Sequence, residues 1–450
     1  MTTAEPSATP AASAEATVAP GSMRVFLTIW IGQLISMLGS GLTGFALGVW
    51  IFDQTGQATP FALTVLFGSL PRLLLLPLAG SLADRCNRRW IMLLSDSGNA
   101  LVTLVVLLVL NVGDLQVWHI YLLAIFGSIF SAFQEPAYSA SVVMLVSKKD
   151  LGRANGLLQM GQALESIITP LLAGALFVII GLRGIILIDF VTYFAALFTL
   201  LIVRIPQPKV EAAAKESKNT LLSDFTFGWN YLYNRPGLFG LLWYYAMVNF
   251  FLNLSSVLSG PLVLSNHPAS VLGIVQTAAG IGMLGGSILL SAWGGPKGRR
   301  IPVVIGFIAL AMLGPIVTGS GAHPAFITVG YFLLLFFVPL ASGTSQAIFQ
   351  SKIAPEAQGR VFAVRSMISR SIMPIAFLSA GPLADHVFEP LMRQGGLLAE
   401  SFIGSLLGVG SGRGIGLLFI LCGLLGIFAS LLAYLNPRIR LVEDELPDAI

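Results

Sequence analysis

Long runs of apolar residues alternate with short polar connections along most of this chain. A helix crosses the core of a bilayer with about 20 apolar residues, and its backbone groups find their hydrogen-bond partners within the segment. The pattern predicts a first set of spans at 24–52, 59–82, 90–110, 117–146, 154–180 and 184–204. It predicts a second set at 237–262, 269–293, 301–320, 324–350, 361–382 and 412–435. We therefore expect an all-α polytopic membrane protein with twelve transmembrane helices in two sets of six.

The polar segments divide the chain further. Residues 1–22 lack the basic start and the apolar core of a secretory signal, so we expect a disordered tail there. The remaining predicted parts are a six-helix bundle at 23–204, a mixed-charge linker with some helix at 205–236, a second bundle at 237–436 and a tail at 437–450. The longest connection on the other side, 383–411, is open to three interpretations: an ordered surface loop, a lid or a re-entrant piece.

The composition agrees with a membrane protein. Of the 450 residues, 55% are hydrophobic and 10% are charged, whereas soluble domains carry about 25% charged residues. Two cysteines, Cys86 and Cys422, cannot form a disulfide framework. The sequence has no Cys/His cluster with metal-ligand spacing and no GxxxxGK phosphate loop. These features argue against a zinc enzyme and against an ATP-driven pump, and we expect no metal or cofactor.

Basic residues are concentrated on one side of the predicted spans. The connections after the even-numbered spans, together with the tails, contain Arg24, Arg85, Arg88, Arg89, Lys148, Lys149, Arg153, Arg204, Lys209, Lys215, Lys218, Arg235, Lys297, Arg299, Arg300, Lys352, Arg360, Arg438 and Arg440. The connections on the other side contain Arg183, Arg393 and Arg413 beside several carboxylates. By the positive-inside rule we expect both termini to be cytoplasmic. The membrane that we expect the protein to span is the plasma (inner) membrane.

The two sets of spans share landmarks. The cationic turn at 84–89 has a degenerate counterpart at 295–300, and the pair Gly152-Arg153 corresponds to Gly359-Arg360. Each landmark lies in the connection that corresponds to its partner when the second set is laid on the first. The spacing predicts two similar halves in parallel orientation.

Seven charged residues lie four or more residues from either end of a predicted span, where insertion of one charge costs roughly 2.5–3.5 kcal/mol. They are Arg72, Asp96, Glu135, Glu165, Asp189, Arg365 and Arg370. Asp96 and Arg365 lie near the cytoplasmic ends of their spans and Asp189 lies near an external end. We expect these three to reach interfacial water and to have structural roles, and Asp96 to have the further option of pairing with an Arg of the preceding loop.

The other four charges lie deeper and are candidates for proton coupling or for lining a cavity. Glu135 lies in Gln134-Glu135-Pro136, where the proline removes a backbone hydrogen bond, so its carboxylate is a candidate for reversible protonation. A permanent ion pair with Arg72 or Arg370 is the alternative. Glu165 is the second candidate, and Arg370 is expected either to bind a substrate anion or to neutralise a carboxylate.

A short cationic turn between the second and third spans carries a family resemblance. It reads Gly80-Ser81-Leu82-Ala83-Asp84-Arg85-Cys86-Asn87-Arg88-Arg89. With the strings GQLISMLGSGLTGFALGVW, FQEPAYSAS and GRANGLLQ, it resembles the major facilitator superfamily, and within it the macrolide-efflux and enterobactin-exporter branch. The turn departs from the family pattern at Asn87, where the family usually has Gly. Because Asn tolerates a left-handed backbone best among non-glycine residues, we expect the turn geometry to survive.

The resemblance implies two pseudo-symmetric bundles that rock about a central cavity. It implies that Gly80, Asp84, Arg85, Arg88 and Arg89 form a cytoplasmic latch between the halves in the outward-facing state. In the fifth span, Pro170 and Gly174 resemble a degraded form of the antiporter signature of this family, which points toward export. Many drug antiporters of the family have an Arg in the fourth span, and this chain has none there.

We therefore expect a proton-coupled exporter of an amphipathic small molecule, such as a drug, a macrolide or a siderophore. The expected partners are this substrate and the lipid bilayer, with no nucleic acid. We expect the protein to be a monomer and the proton gradient to be its source of energy. An importer or symporter on the same fold is the alternative. A membrane-embedded enzyme would need a polar cluster at one interface, and the four histidines are scattered without a shared motif.

Overall fold

The computed structural model describes residues 23–113, 115–203, 221–296 and 298–445, and every regular element in these ranges is helical. The predicted tail at 1–22, the linker residues 205–220 and the last residues of the tail, 446–450, lie outside the described residues. The side chains of Asp84 and Arg85 also lie outside the described part of the chain.

The predicted spans are helices in the structure. In chain order the helices are α1 (Met23–Thr55), α2 (Ala58–Arg85), α3 (Arg88–Val112), α4 (Val117–Leu145), α5 (Leu151–Ile202), α6 (Leu221–Tyr233), α7 (Pro236–Leu264), α8 (Ala269–Trp293), α9 (Arg300–Ser320), α10 (Pro324–Lys352), α11 (Pro355–Pro382), α12 (Glu389–Met392), α13 (Phe402–Leu407), α14 (Arg413–Leu435), α15 (Pro437–Arg440) and α16 (Val442–Glu445). A 3₁₀ turn precedes α5 at Lys148–Asp150, and a π-helix follows α11 at Leu383–Phe388. Within the described residues, eleven helices are long and apolar enough to cross a membrane.

Helix α5 contains two spans, which brings the number of spans to twelve. Its 52 residues would extend about 78 Å if straight, more than twice the thickness of a bilayer core. Gly181 interrupts the helix with φ 63° and ψ −174°, a conformation that glycine adopts at little cost. Along α1, Trp30 donates to the carbonyl of Leu157 and Gly41 lies beside Thr169, both in the first arm of α5. In the second arm the order is reversed, because Gly32 lies beside Thr199 and Ser40 donates to Asp189. The two arms of α5 therefore run past α1 in opposite directions and reverse at Gly181.

We refer to α1–α5 as the N-half and to α7–α14 as the C-half. The halves contact each other along two seams, α5 against α8 and α2 against α11. In a repeat of six spans, span 2 corresponds to span 8 and span 5 to span 11, so the two seams are equivalent. This arrangement is the two-bundle architecture that the sequence predicted.

The two ends of the molecule differ in charge and in contacts. The basic end carries the turn at Arg88 and Arg89 and the start of α9 at Arg300; the opposite end, which we call the closed end, carries Gly181 and the start of α2. At the closed end the carboxylate of Asp385 accepts the backbone N–H groups of Ala58 and Thr59, at 2.8 and 2.7 Å. Since Asp385 belongs to the C-half and α2 to the N-half, this contact joins the halves.

Small residues allow the seams to close. In the α5–α8 seam, a Cβ atom on Gly273 would lie 2.4 Å from the carbonyl oxygen of Pro170, and one on Gly174 would lie 2.8 Å from that of Ala269. Thr277 of α8 donates to the carbonyl of Ile167 at 3.0 Å in the same seam. Pro170 and Gly174, which the sequence singled out, therefore lie in the contact between the halves.

At the basic end, polar segments pack onto the C-half. A Cβ atom on Gly228 of α6 would lie 2.6 Å from the carbonyl oxygen of Arg360 in α11, and Leu232 is fully buried. Residues 221–233 of the predicted linker thus form a helix packed on the bundle. Residues 437–445 of the predicted tail also pack on the bundle, where Glu443 accepts the backbone N–H groups of Arg300 and Ile301 at 2.7 and 2.8 Å.

The turn before α3 is built differently from the sequence expectation. Asn87 has φ −67° and ψ 109°, which is not a left-handed conformation, so the expected reason for Asn at this position is wrong. The Asn87 side chain accepts the backbone N–H groups of Arg89 and Trp90. Asn87 is therefore the N-cap residue of α3. An Asn at this position stabilises the start of a helix more than a Gly does.

The 383–411 segment is packed on the bundle at the closed end. Glu389 is 7% exposed, and its carboxylate accepts the backbone N–H groups of Gly412 and Ile415, at 3.2 and 3.0 Å. These bonds satisfy donors at the start of α14. Residues 383–392 continue the helix of α11 through the π-helix and α12, and residues 402–407 form α13, so much of this segment is helical.

Candidate functional site

Two adjoining cavities lie between the halves and within the N-half. The N-half cavity, of about 380 Å³, is lined only by residues of α1–α5. The closed-end cavity, of about 880 Å³, is also lined by Ser256, Gln276 and Phe377 of the C-half. The residues common to both are Ser40, Arg72, Asn99, Ser131, Glu165 and Tyr193. The polar positions of the first set of spans thus converge on one space.

An ion pair joins α2 to α4 in the wall of the N-half cavity. The guanidinium of Arg72 donates to the carboxylate of Glu135, and the two side chains are 48% and 52% exposed. The backbone N–H of Arg72 also donates to the hydroxyl of Ser128 at 3.1 Å. Of the two partners that the sequence offered for Glu135, the structure has Arg72.

Glu165 shares these cavities but has no such partner. It is half-buried and lines both cavities together with Arg72. No hydrogen bond or ion pair of its carboxylate is found among the described residues. One guanidinium therefore faces two carboxylates, from α4 and α5, and only one of these is paired.

A buried carboxylate joins three helices beside the ion pair. Asp96 of α3 accepts a hydrogen bond from the amide of Gln33 and one from the amide of Gln134, both at 2.9 Å. The Gln134 amide also donates to the Gln33 carbonyl oxygen at 2.9 Å. Asp96 is 3% exposed, so the expectations that it reaches interfacial water or pairs with an Arg of the loop are wrong. Buried polar groups need such partners, and neutral amides provide them here.

Asp189 is a second buried carboxylate with neutral partners. It is 1% exposed and accepts hydrogen bonds from the hydroxyls of Ser40 and Thr103, at 3.3 and 3.2 Å. The expectation that it reaches interfacial water is wrong as well. A Cβ atom on Gly39 would lie 2.0 Å from the hydroxyl oxygen of Thr192, so a glycine is needed for α1 to approach the second arm of α5.

Arg365 and Arg370 of the C-half line a different cavity. Arg365 donates to the side-chain carbonyl of Gln346 at 3.0 Å and to the hydroxyl of Ser345 at 3.2 Å, and its guanidinium lies 4.3 Å from the ring centre of Phe349. Arg370 is exposed. Among the described residues neither arginine has a carboxylate partner, so the expected neutralisation of a carboxylate by Arg370 is not found in this conformation.

The described part of the predicted latch packs within the N-half. Arg89 donates to the carbonyls of Leu200 and Leu201, both at 2.8 Å. Arg88 donates to the carbonyls of Ala83 and Ala140, both at 3.2 Å. A Cβ atom on Gly80 would meet nothing within 4 Å. The latch of the outward-facing state stays a prediction.

Several residues of this site were missed by the sequence reasoning. Ser40, Thr103 and Tyr193 surround Asp189, and Asn99 lines both cavities. Single hydroxyls in apolar helices commonly bond to the carbonyl four residues earlier, as Ser40 also does with Ser36, and so give no distinctive signal. Asp385 is one of the carboxylates in the connections opposite the basic end, and its partner becomes visible only when α2 and α11 are adjacent.

Comparison with known proteins agrees with this architecture. The sequence model of the Major Facilitator Superfamily matches residues 29–378. The chain is 30% identical over 372 residues to macrolide efflux protein A of Streptococcus pyogenes, covering 80% of this chain and 90% of that protein. It is 26% identical over 151 residues to the enterobactin exporter EntS of Citrobacter koseri, covering 34% of this chain and 36% of that protein. A crystal structure of a bacterial homologue of the human lysosomal transporter Spinster matches with a TM-score of 0.69 at 15% identity, covering 94% of this chain and 97% of the other, which shows a common fold.

Proposed function

The chain belongs to the Major Facilitator Superfamily, as its motifs indicated, and we propose that this multi-pass membrane transporter exchanges protons for an amphipathic small molecule that it exports. It is a transporter rather than an enzyme, with efflux proteins among its relatives. The direction of transport, the coupling ion and the energy source are our proposal. Export is supported by similarity to macrolide efflux protein A, 90% of whose length the match covers.

The observation that carries the proton coupling is the arrangement of one guanidinium between two carboxylates. Arg72 is bound to Glu135 while Glu165 shares the cavity without a partner. A proton that binds to Glu135 removes its charge and weakens its bond to Arg72, which leaves the guanidinium available to Glu165. Loss of that proton reverses the exchange. A carboxylate facing a water-accessible cavity within the membrane is the group by which such a cycle takes up and releases one proton.

The contacts at the two ends support the proposal of alternating access. If the basic end is cytoplasmic, as the positive-inside rule indicates, both termini lie in the cytoplasm and this conformation faces inward. The outward-facing conformation then requires the α2–α11 and α5–α8 seams to separate at the closed end. The contact of Asp385 with α2 has to break in that step, and the latch around Asp84 and Arg88 would form at the basic end.

The cavity supports a substrate with both polar and apolar surface. The closed-end cavity combines Phe45, Phe61 and Phe377 with Ser256, Gln276 and Glu165. We propose that the protein acts as a monomer in the plasma membrane, with the substrate and lipid as its partners. An importer or symporter with the same fold is the alternative, and the direction of proton-driven flux distinguishes the two.

The test uses the full-length protein reconstituted in vesicles with an imposed pH gradient. Flux of erythromycin and of the fluorescent amphiphile 11-(dansylamino)undecanoic acid is measured for the wild type, Glu135→Gln and Glu165→Gln. Glu400→Gln is the matched control, because Glu400 is exposed in the 383–411 segment. We expect a proton gradient to drive exchange in the wild type and the control, and at least one of the two cavity variants to lose this coupling. Wild-type rates in both cavity variants would contradict the proposal.

A further inference from the structure

Two arginines of α11 have no carboxylate partner among the described residues. Arg365 and Arg370 lie ten and fifteen residues after the start of α11 at Pro355, which places them about 15 and 22 Å along the helix. They line a cavity of about 360 Å³ with Gln346, Phe362, Ser366 and Ser369. No Asp or Glu of the described residues lines this cavity. A charge within a membrane span needs a compensating partner, and no described residue provides one for this cavity in this conformation.

Arg365 is held in place by neutral groups of two other helices. Its guanidinium donates to Gln346 and Ser345 of α10, and lies over the rings of Phe349 and Tyr245. These contacts fix the position of the cation and leave its charge uncompensated. Cation–π contacts contribute about 0.5–2 kcal/mol and do not replace an anion. Arg365 is therefore a preorganised positive group in the cavity wall.

Arg370 and two serines complete a surface of hydrogen-bond donors. Arg370 is exposed, and no hydrogen bond of the hydroxyls of Ser366 and Ser369 is found among the described residues. Ser369 and Arg365 also line a smaller cavity of about 130 Å³ with Tyr245 and Asn249. A guanidinium presents paired N–H donors whose geometry matches the two oxygens of a carboxylate or of a phosphate.

We propose that Arg370, Arg365 and the adjacent serines bind an oxyanion, such as a carboxylate, sulfate or phosphate, carried by an amphipathic molecule. Phe362 in the same cavity provides an apolar surface beside the cations. The acidic side chains of the site already described, Glu135 and Glu165, belong to the N-half, so the two halves present opposite charges. As a substrate subsite this inference rests on the proposed export function, and it specifies an acidic group in the substrate.

The test compares two forms of one amphiphile that differ only in the acid. Binding of 11-(dansylamino)undecanoic acid and of its methyl ester to the purified full-length protein in a neutral maltoside detergent is measured by dansyl fluorescence. We expect the wild type to bind the acid about tenfold more tightly, the ratio that one charge-assisted hydrogen bond provides. Arg370→Gln should lose this preference and bind the ester as the wild type does. Arg370→Lys should retain part of the preference, because it keeps the charge without the paired donors.

Arg183→Gln is the matched control, since it removes one exposed cation at the closed end. Equal binding of acid and ester by the wild type would overturn the inference, and so would an equal loss of acid binding in Arg183→Gln and Arg370→Gln. Arg365 is left unchanged, because its bonds join α11 to α10. The binding assay needs no proton gradient, so a failure of proton coupling leaves its result intact.

A lipid phosphate is the second source of the same chemistry. Phosphatidylglycerol is added to the acid-binding assay, and native mass spectrometry compares the lipid retained by the wild type and by Arg370→Gln. If phosphatidylglycerol displaces the acid, and if the wild type retains this lipid while Arg370→Gln does not, the oxyanion site is assigned to lipid. Acid binding that phosphatidylglycerol does not displace assigns it to a soluble substrate.

Discussion

The carboxylate of Asp385 accepts the backbone N–H of Ala58 at 2.8 Å, so a residue of the C-half caps a helix of the N-half. The helix itself has no cap of its own, since Gln57 at the N-cap position makes no side-chain cap bond. The start of a helix favours a negative charge, both through its free N–H groups and through its dipole. This contact therefore couples the stability of α2 to the closure of the two halves.

Asp385→Ala should shift the conformational equilibrium away from closure at this end. Loss of a capping residue costs about 0.5–2 kcal/mol, which corresponds to roughly a 2- to 30-fold change in the population ratio. Spin labels at Gln57→Cys and Val387→Cys, in a Cys86→Ser background, would report the separation across the contact by pulsed electron resonance. We expect a larger fraction of long distances. Asp53→Ala removes an exposed carboxylate at the same end and should leave the distances unchanged; an equal change in both variants would contradict the assignment.

The ion pair between Arg72 and Glu135 should contribute little to stability. Both side chains are about half exposed, and ion pairs of this kind typically contribute about 0–1 kcal/mol. We expect the coupling energy of Arg72→Gln and Glu135→Gln in a double-mutant cycle, measured by unfolding in detergent, to lie in this range. Arg72→Gln should strongly reduce proton-driven flux while changing the stability little, because the substitution removes the cation that both carboxylates face. A coupling energy above about 2 kcal/mol would indicate a structural role for the pair.

Asp96 should be a structural residue rather than a coupling residue. Its carboxylate is buried and accepts from Gln33 and Gln134, so Asp96→Ala would leave two amide donors without a partner. Each unsatisfied buried group costs about 1–3 kcal/mol. We expect a marked loss of thermal stability in detergent for Asp96→Ala, and a smaller loss for Asp96→Asn, which keeps one acceptor oxygen. Equal melting temperatures for the wild type and Asp96→Ala would rule out this role.

The spans were predictable from sequence because lipid leaves the backbone few options other than a helix. The basic end was equally predictable, because it depends only on where Arg and Lys lie between the spans. The partners of the charged residues could not be predicted. Glu135 had two possible cationic partners. Asp96 was expected to reach interfacial water, although Gln33 and Gln134 enclose it. Those contacts depend on the rotation of three helices about their axes, and the apolar pattern of a span buried on several sides does not specify that rotation.

The glycines of the α5–α8 seam give the most direct test of alternating access. A Cβ atom on Gly273 would lie 2.4 Å from the carbonyl oxygen of Pro170, and neither backbone can yield without moving a helix. Gly273→Val should therefore separate the seam at the closed end and favour the outward-facing conformation. Gly306→Ala in α9 is the control, since a Cβ atom there would meet nothing within 4 Å.

Two measurements distinguish a conformational shift from misfolding in Gly273→Val. The spin-label pair at Gln57→Cys and Val387→Cys should show a larger separation, because the α2–α11 seam has to open together with the α5–α8 seam when the halves rock as rigid bodies. Binding of the dansyl acid should persist if the fold is intact. Opening of one seam without the other would contradict rigid-body rocking, because the two seams are related by the repeat of six spans and share a single gap at the closed end.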